Sequence, residues 1–155
     1  MNPHALYFED FSAGQTFESP ARTLTESDIQ SFAALTGDYN PLHTDEEFAR
    51  QTPFGRRISH GLMGLSFAVG LISRLGIIDG TIQAFLGLEW QFKKPLFVGD
   101  TVHAKATVKE ARRSKSQPDR GVVVLQVEVH NAAHETVQTG TWTFMMAARA
   151  VLAQS

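Results

Sequence analysis

The sequence contains no cysteine, and this absence excludes several kinds of site at once. Disulfides, thiolate nucleophiles, zinc ribbons and iron–sulfur clusters all need cysteine sulfur. Charged residues make up only 19% of the chain, with 14 Lys and Arg against 16 Asp and Glu, and the basic residues stand alone or in pairs. Nucleic acid and membrane surfaces attract proteins with a concentrated basic face, so we expect neither as a partner.

A long hydrophobic run is also missing. The longest mainly apolar stretch, 61–75, contains Ser66, Ser73 and Arg74 and is shorter than the roughly 18 to 20 residues that a membrane-spanning helix needs. The first ten residues lack a basic region followed by an apolar core, so we expect no secretory signal and a cytoplasmic location. With 155 residues, 43% of them apolar, the chain has the length and composition of a single domain over 1–155.

Two polar segments have the pattern of surface helices. Residues 25–36 begin with a hydroxyl and an acid at capping-box spacing, continue with apolar residues at helical spacing and end before Gly37. A second, short helix is predicted after Thr44, because three acidic residues in its first turn suit the positive end of the helix dipole. Phe48 and Ala49 are expected to face inward.

The later part of the chain predicts one buried helix and an antiparallel sheet. Residues 59–75 are apolar on every side, so we expect a helix that is covered almost completely, with Ser59 as its N-cap. Beyond it the hydrophobic period changes to two, which indicates strands without intervening helices. The predicted strands are 82–95, 102–108, 122–130 and 136–147. We therefore predict an α+β fold in which an antiparallel sheet curls around the long helix.

The segment with the strongest chemical signal follows the first helix. It leaves Gly37 and passes through an Asn40-Pro41 turn, and it places Asp38 and His43 five residues apart on an irregular stretch. A loop can bring two such side chains to one point, and a carboxylate and a neutral imidazole together can hold and activate a water molecule. Taken singly, Asp38 is also a typical turn residue, Asn40 most simply builds that turn, and His43 is typical of a packed imidazole.

The start of the long helix is the second candidate. Backbone amides at a helix N-terminus lack intrahelical partners, and Gly61 lets a ligand come close to them. Such amides can hold a carbonyl oxygen that gains negative charge during a reaction. We expect Ser59, His60 and Asn40 to assist there in binding the substrate, His60 as a positioning residue. No histidine pair has metal-ligand spacing with a matching carboxylate and no glycine-rich phosphate loop follows a strand, so we expect no metal site.

Several of these segments together resemble the MaoC-like dehydratases, including the (R)-specific enoyl-CoA hydratases. The matching segments are LTGDYNPLHTD at 35–45, FA at 48–49, ISHGLM at 58–63 and, more weakly, FKKPLFVGD at 92–100. The resemblance is specific in the first three segments and weaker over most of the rest of the chain. It implies a hot-dog fold, an antiparallel sheet wrapped round a long central helix, which pairs into a homodimer or a higher homo-oligomer.

The resemblance also implies a chemistry. Asp38 and His43 match the dyad that activates water for syn addition to a trans-2-enoyl-CoA, giving an (R)-3-hydroxyacyl-CoA, and Gly61 matches the glycine whose amide binds the thioester carbonyl. The reaction needs no cofactor, since coenzyme A is part of the acyl-CoA substrate. Some family members carry a serine in the long helix where this chain has Val69. The resemblance therefore does not identify the acyl group of the substrate.

Two other functions fit the same fold. One is an acyl-CoA thioesterase, which would direct water at the thioester carbonyl, and the other is a non-catalytic subunit that binds acyl thioesters. The intact Asp38 and His43 argue against both. For the coenzyme A phosphates we expect a contact from Lys93 or Lys94, and only one of them, because neighbouring residues on a strand point to opposite faces.

Overall fold

A six-stranded antiparallel sheet forms the body of the protein in the computed structural model, which describes residues 4–149. The helices are α1 (Glu26–Thr36), α2 (Pro41–Thr44), α3 (Glu46–Arg50) and α4 (Gly61–Ser73), and a short 3-10 turn spans Phe8–Asp10. The strands are β1 (Thr16–Glu18), β2 (Arg22–Thr23), β3 (Ile82–Phe92), β4 (Thr101–Arg113), β5 (Arg120–Asn131) and β6 (Thr136–Ala147).

The strand order leaves β3 at one edge of the sheet. The order is β1-β4-β5-β6-β3, with β2 also paired to β4, so β3 has β6 as its one neighbour in the described part of the chain. Hairpins join the three longest strands in sequence order. This is the antiparallel arrangement that the period-two pattern predicted.

The core lies between one face of this sheet and α4. The alternating residues of β4 point inward and are buried as predicted: Val102, Ala104, Ala106 and Val108. Trp142 and Phe144 of β6 join them, and α4 contributes Met63, Phe67, Leu71 and Ile72. Burial of a large apolar side chain is worth about 1.5–3 kcal/mol, so this layer is the main source of stability.

The prediction that α4 is covered almost completely is wrong for the single chain. Leu62 is 57% exposed and Val69 is 42% exposed, so one stripe of the helix faces outward. Edge strand β3 is exposed along most of its length, and four of its large apolar side chains are 43–53% exposed. Those side chains are Phe85, Leu86, Leu88 and Phe92. Apolar surface of this extent is typical of an interface.

Several predicted boundaries and contacts also need correction. Strand β3 ends at Phe92 instead of residue 95, because the backbone N–H groups of both Lys93 and Lys94 turn to the carbonyl of Val137, at 2.9 and 3.0 Å. In α3, Ala49 is buried as expected, whereas Phe48 is 47% exposed. Helix α4 is shorter than predicted at both ends, beginning at residue 61 and ending at residue 73.

Candidate active site

The segment between α1 and α2 presents the first predicted residues. Helix α1 ends at Gly37, whose φ of 76° lies in the left-handed region that glycine adopts without strain. The chain then turns: the N–H of Asn40 donates to Asp38 Oδ1 at 3.2 Å, and Asn40 Oδ1 accepts from the N–H of Leu42 at 3.0 Å. The side chain of Asn40 thus caps α2, and its predicted contact with substrate stays a prediction. The short helix carries His43 in its last turn.

A backbone carbonyl orients the ring of His43. Its Nδ1 lies 2.9 Å from the carbonyl oxygen of Ile58. A carbonyl oxygen can only accept a hydrogen bond, so Nδ1 carries the hydrogen and donates it. In the neutral ring the other nitrogen, Nε2, is then left with a free lone pair. His43 is therefore arranged to accept a proton through Nε2.

His60 connects the two halves of the site. Its side chain is only 2% exposed, and its ring packs against that of His43 with centroids 4.0 Å apart and planes inclined by 32°. His60 Nε2 lies 2.9 Å from the carbonyl oxygen of Asp38, to which it donates by the same reasoning. This contact fits the positioning role expected for His60.

Asp38, His43 and His60 converge on one point. Their ligand atoms all lie within 4.8 Å of one another, and Asp38 is exposed while His43 is half-buried. Three such groups could hold a metal ion. The packed imidazoles are poorly arranged for it, because an ion must lie along a nitrogen lone pair in the plane of each ring. A water molecule needs only Asp38 and the free Nε2 of His43, so the arrangement suits acid–base chemistry on water.

The start of α4 lies beside this group. The N-cap is His60, not Ser59 as predicted, and no side chain caps the helix. Ser59 is buried instead: its hydroxyl donates to the His60 carbonyl at 3.4 Å, and its N–H donates to the carbonyl of Leu96 at 2.7 Å. Gly61 is thus the first residue of the helix, and its amide has no intrahelical acceptor. This is the geometry of a donor for a developing oxyanion.

A cavity of about 310 Å³ joins His43 to the start of α4. Residues that line it include His43, Ser59, Gly61, Phe92, Lys93, Lys94 and Gln138. Both lysines border the cavity, because the regular strand that would send them to opposite faces stops at Phe92. Which of them contacts coenzyme A stays a prediction. Lys94 Nζ is paired with Glu135 Oε1 at 2.6 Å, whereas Lys93 has no ion pair within residues 4–149.

Gln138 is a residue of the site that sequence reasoning missed. Its side chain is 2% exposed, its Nε2 donates to the carbonyl of Gly61 at 3.1 Å, and its Oε1 accepts from Trp90 Nε1 at 3.0 Å. It lies so close to α4 that a Cβ at Gly64 would be 2.3 Å from its Nε2. The only sequence signal is a polar residue inside an apolar strand. Its partners are far away along the chain.

Arg57 is the second missed residue. Its guanidinium donates to both carboxylate oxygens of Glu26, each at 2.8 Å, and to Glu46 Oε2 at 3.0 Å. The hydrogen bonds that Arg57 donates to Glu26 and Glu46 raise the pKa of Arg57, and they hold the pKa of Glu26 below its ordinary value. The carboxylates come from α1 and α3, so local sequence patterns could not indicate the cluster.

Comparison with known proteins identifies the family. The family model described as "MaoC like domain" matches residues 10–131, which is most of the chain. The chain belongs to the MaoC-like dehydratase family. Asp38, His43 and Gly61, which the resemblance carried over from this family, lie in the matched region.

Two curated relatives carry enzyme names. The chain is 42% identical over 107 residues to a 3-hydroxybutyryl-CoA dehydratase of Methylorubrum extorquens, covering 68% of this chain and 65% of the relative, just under two thirds of its length. It is 39% identical over 102 residues to an (R)-specific enoyl-CoA hydratase of Rhodospirillum rubrum, covering 66% of this chain and 69% of the relative. Both names belong to hydro-lyases, in agreement with the enzyme class predicted from the sequence.

Solved structures confirm the fold. The crystal structure of a MaoC-like dehydratase from Rhodospirillum rubrum has a TM-score of 0.83 at 30% identity, covering 94% of this chain and 99% of that chain. A Mycobacterium tuberculosis protein described as having a double hot-dog fold has a TM-score of 0.82 at 21% identity, covering 100% of this chain and 48% of that chain. The predicted hot-dog fold is therefore correct. Within residues 4–149, no helix has both the length and the apolar character needed to cross a membrane.

Proposed function

We propose that the protein catalyses the reversible hydration of trans-2-enoyl-CoA thioesters to (R)-3-hydroxyacyl-CoA. The observation that supports this most directly is the convergence of Asp38 and His43, within 4.8 Å, beside the uncapped start of α4. The names of the two relatives point to the same chemistry. The reaction uses no cofactor, because coenzyme A enters as part of the substrate.

The proposed mechanism follows from the free groups of the site. Asp38 and His43 hold one water molecule, and the lone pair on His43 Nε2 accepts its proton as the oxygen bonds to C3 of the enoyl group. The electron pair of the C2–C3 double bond moves towards the thioester carbonyl, whose oxygen accepts a hydrogen bond from the Gly61 amide. The proton taken from water then returns to C2 on the same face, so water is added completely and in the syn sense.

The coenzyme A portion is assigned to the lysine side of the cavity. Lys93 borders the cavity and has no ion pair in the described chain, so its charge is available for a phosphate. Lys94 is already paired with Glu135. The two lysines are therefore unequal candidates, with Lys93 the stronger.

We assign the active assembly as a homodimer. The exposed stripe of α4 and the exposed edge strand β3 form apolar surface that a second copy would cover, and an unpaired edge strand invites pairing. Asp38 is exposed in the single chain, and reactions of this kind benefit when water other than the reactant is excluded. A partner that closes the site would supply that exclusion. The cytoplasmic location stays a prediction.

A panel of enoyl-CoA substrates tests the reaction. Hydration removes the conjugated double bond, so absorbance of the enoyl thioester falls, whereas a thioesterase would release free thiol and a binding subunit would do neither. We expect Asp38→Asn and His43→Ala each to lower kcat by at least about 100-fold, because positioned acid–base groups contribute about 10²–10⁴. Asp119→Asn, a change at an exposed acid in the β4–β5 loop, is the matched control. Near-normal turnover of either dyad variant would refute the assignment.

A further inference from the structure

The strap, defined as residues 57–60, connects the loop after α3 to the start of α4. Its Ile58 carbonyl accepts the hydrogen bond from His43 Nδ1, and its His60 ring donates to the carbonyl of Asp38. The strap thus orients the ring of His43 and holds the backbone of Asp38. The position of the strap determines which nitrogen of His43 carries the hydrogen.

Arg57 makes the strongest hydrogen bonds that join the N-terminal end of the strap to the helices beside it. The backbone bond there is long, since the N–H of Ile58 lies 3.4 Å from the carbonyl oxygen of Leu42. The Arg57 side chain instead makes three charged hydrogen bonds of 2.8–3.0 Å to Glu26 and Glu46. Its side chain is 22% exposed, against 41% and 42% for the two carboxylates. A planar guanidinium that bonds two carboxylates at once fixes direction as well as distance.

We infer that Arg57 is a positioning residue for His43, acting through the carbonyl of Ile58. By joining the strap to α1 and α3, it holds that carbonyl against His43 Nδ1 and so keeps Nε2 free to accept the proton of water. This inference rests on the proposed hydratase function for its kinetic test. The orientation of the imidazole itself can be tested without that function.

Kinetics of neighbouring arginine variants make the first test. Arg57→Ala should lower kcat about tenfold and change KM by less than about twofold, because a misplaced base slows proton transfer without removing a substrate contact. Arg57→Lys should recover only part of this loss, since an ammonium lacks the planar fork. Arg56→Ala is the control: Arg56 stacks over the ring of Phe97 at 3.9 Å and has no ion pair within residues 4–149. It should behave as the wild type.

The ¹⁵N chemical shifts of the His43 ring are the second test. Loss of a residue with a merely structural role would not change these shifts. The wild type should show hydrogen on Nδ1, and Arg57→Ala should show a mixture of both tautomers. If Arg57→Ala does not fold, Glu46→Gln replaces it, because it weakens one of the three bonds and should shift the same signals less.

Outcomes for the two hypotheses are distinct. An inactive wild type would overturn the proposed function, and the ring signals would still decide the role of Arg57. An active wild type with unchanged kcat and unchanged His43 signals in a folded Arg57→Ala would overturn the inference. A rise in KM alone would do the same, since it would place Arg57 in substrate binding.

Discussion

At the scale of single residues, backbone carbonyls orient three polar side chains of the candidate site. His43, His60 and Gln138 bond to the carbonyls of Ile58, Asp38 and Gly61, respectively. A carbonyl position depends on the path of the chain, so it shifts only when a substitution displaces the backbone. The geometry of the site is therefore robust to most side-chain substitutions and sensitive to changes that move the strap or the start of α4.

Lys93→Ala should weaken binding of the coenzyme A portion and leave chemistry intact. An exposed charge contact is worth about 0.2–1 kcal/mol, so KM should rise by up to a few-fold with kcat nearly unchanged. Lys94→Ala should have the smaller effect, because Lys94 is already paired with Glu135. Steady-state kinetics at two salt concentrations measure both. An unchanged KM in both variants, or a collapse of kcat in either, would remove the lysines from the binding site.

His103 should make the fold less stable as the pH falls. Burial lowers the pKa of His103, and the neighbouring His130, stacked at 5.3 Å, lowers it further, while Glu18 opposes this. The folded pKa is then below the unfolded value, so the unfolded chain binds more protons as pH drops below about 6.5. Stability present above that pH is lost as the pH falls through the folded pKa. Urea unfolding at several pH values should show a shallower loss for His103→Asn, and an equal loss would contradict the assignment.

The residues that sequence could predict are those close together along the chain. Asp38 and His43 are five positions apart on one irregular segment, so their types and spacing are informative in the sequence itself. Arg57 meets a partner 31 positions away, and Gln138 meets Gly61 across 77 positions. Contacts of that separation are set by the packing of α1, α4 and β6, which leaves no periodic signal in one sequence.

At the scale of elements, apolar periodicity predicted the existence and type of the helices and strands better than the positions of their ends. Helix α1 has its predicted capping box, in which Thr25 Oγ1 and Asp28 Oδ2 bond to each other's N–H groups. Helix α4 was predicted from residue 59, where Ser59 has an ordinary capping side chain. It begins two residues later, because the Ser59 N–H bonds to Leu96 and the side chain is buried. Tertiary contacts, and not the capping preference of Ser59, therefore determine where α4 begins.

Gly64→Ala should destabilise the protein although alanine favours helices. A Cβ there would meet Gln138 Nε2 at 2.3 Å, so the buried amide would have to move and give up its bonds. Overpacking of this kind costs about 1–3 kcal/mol, which exceeds the roughly 0.8–1 kcal/mol gained in helix preference. Gly70→Ala in the same helix is the control, because among residues 4–149 its added Cβ would meet no atom within 4 Å apart from its chain neighbours and the backbone of its own helix. Thermal unfolding should show a lower midpoint for Gly64→Ala alone.

At the scale of the whole molecule, the sheet and α4 leave apolar surface uncovered. It comprises edge strand β3 with Leu88 and Phe92 and the outer stripe of α4 with Leu62 and Val69. The sequence indicated a helix that must be covered on every side, and the single chain covers only part of it. The apolar residues were correctly identified from periodicity, whereas the proposal that a second copy covers them came from the family resemblance and not from that periodicity.

Leu88→Glu should convert the proposed dimer into monomers. A carboxylate at the centre of an apolar interface would have to be buried without a partner, which is strongly unfavourable. Leu35→Glu is the matched control, since Leu35 is 83% exposed on α1 and belongs to a different surface. Sedimentation at micromolar concentration should show a dimer for the wild type and the control. A monomeric wild type would contradict the proposed assembly.

The buried amide of Gln138 gives the edge of the sheet a mechanical connection to the reaction centre. Trp90 lies on β3, the strand assigned to the partner interface, and its indole N–H holds one end of this amide, while the other end holds the first turn of α4. Gln138 also packs tightly against Gly64 of α4, so its side chain has little room to move between β3 and α4. Dissociation of the proposed dimer would free β3, and a shift of Trp90 would reach the first turn of α4 through Gln138. A sample diluted below the dissociation constant should lose activity while it is still folded.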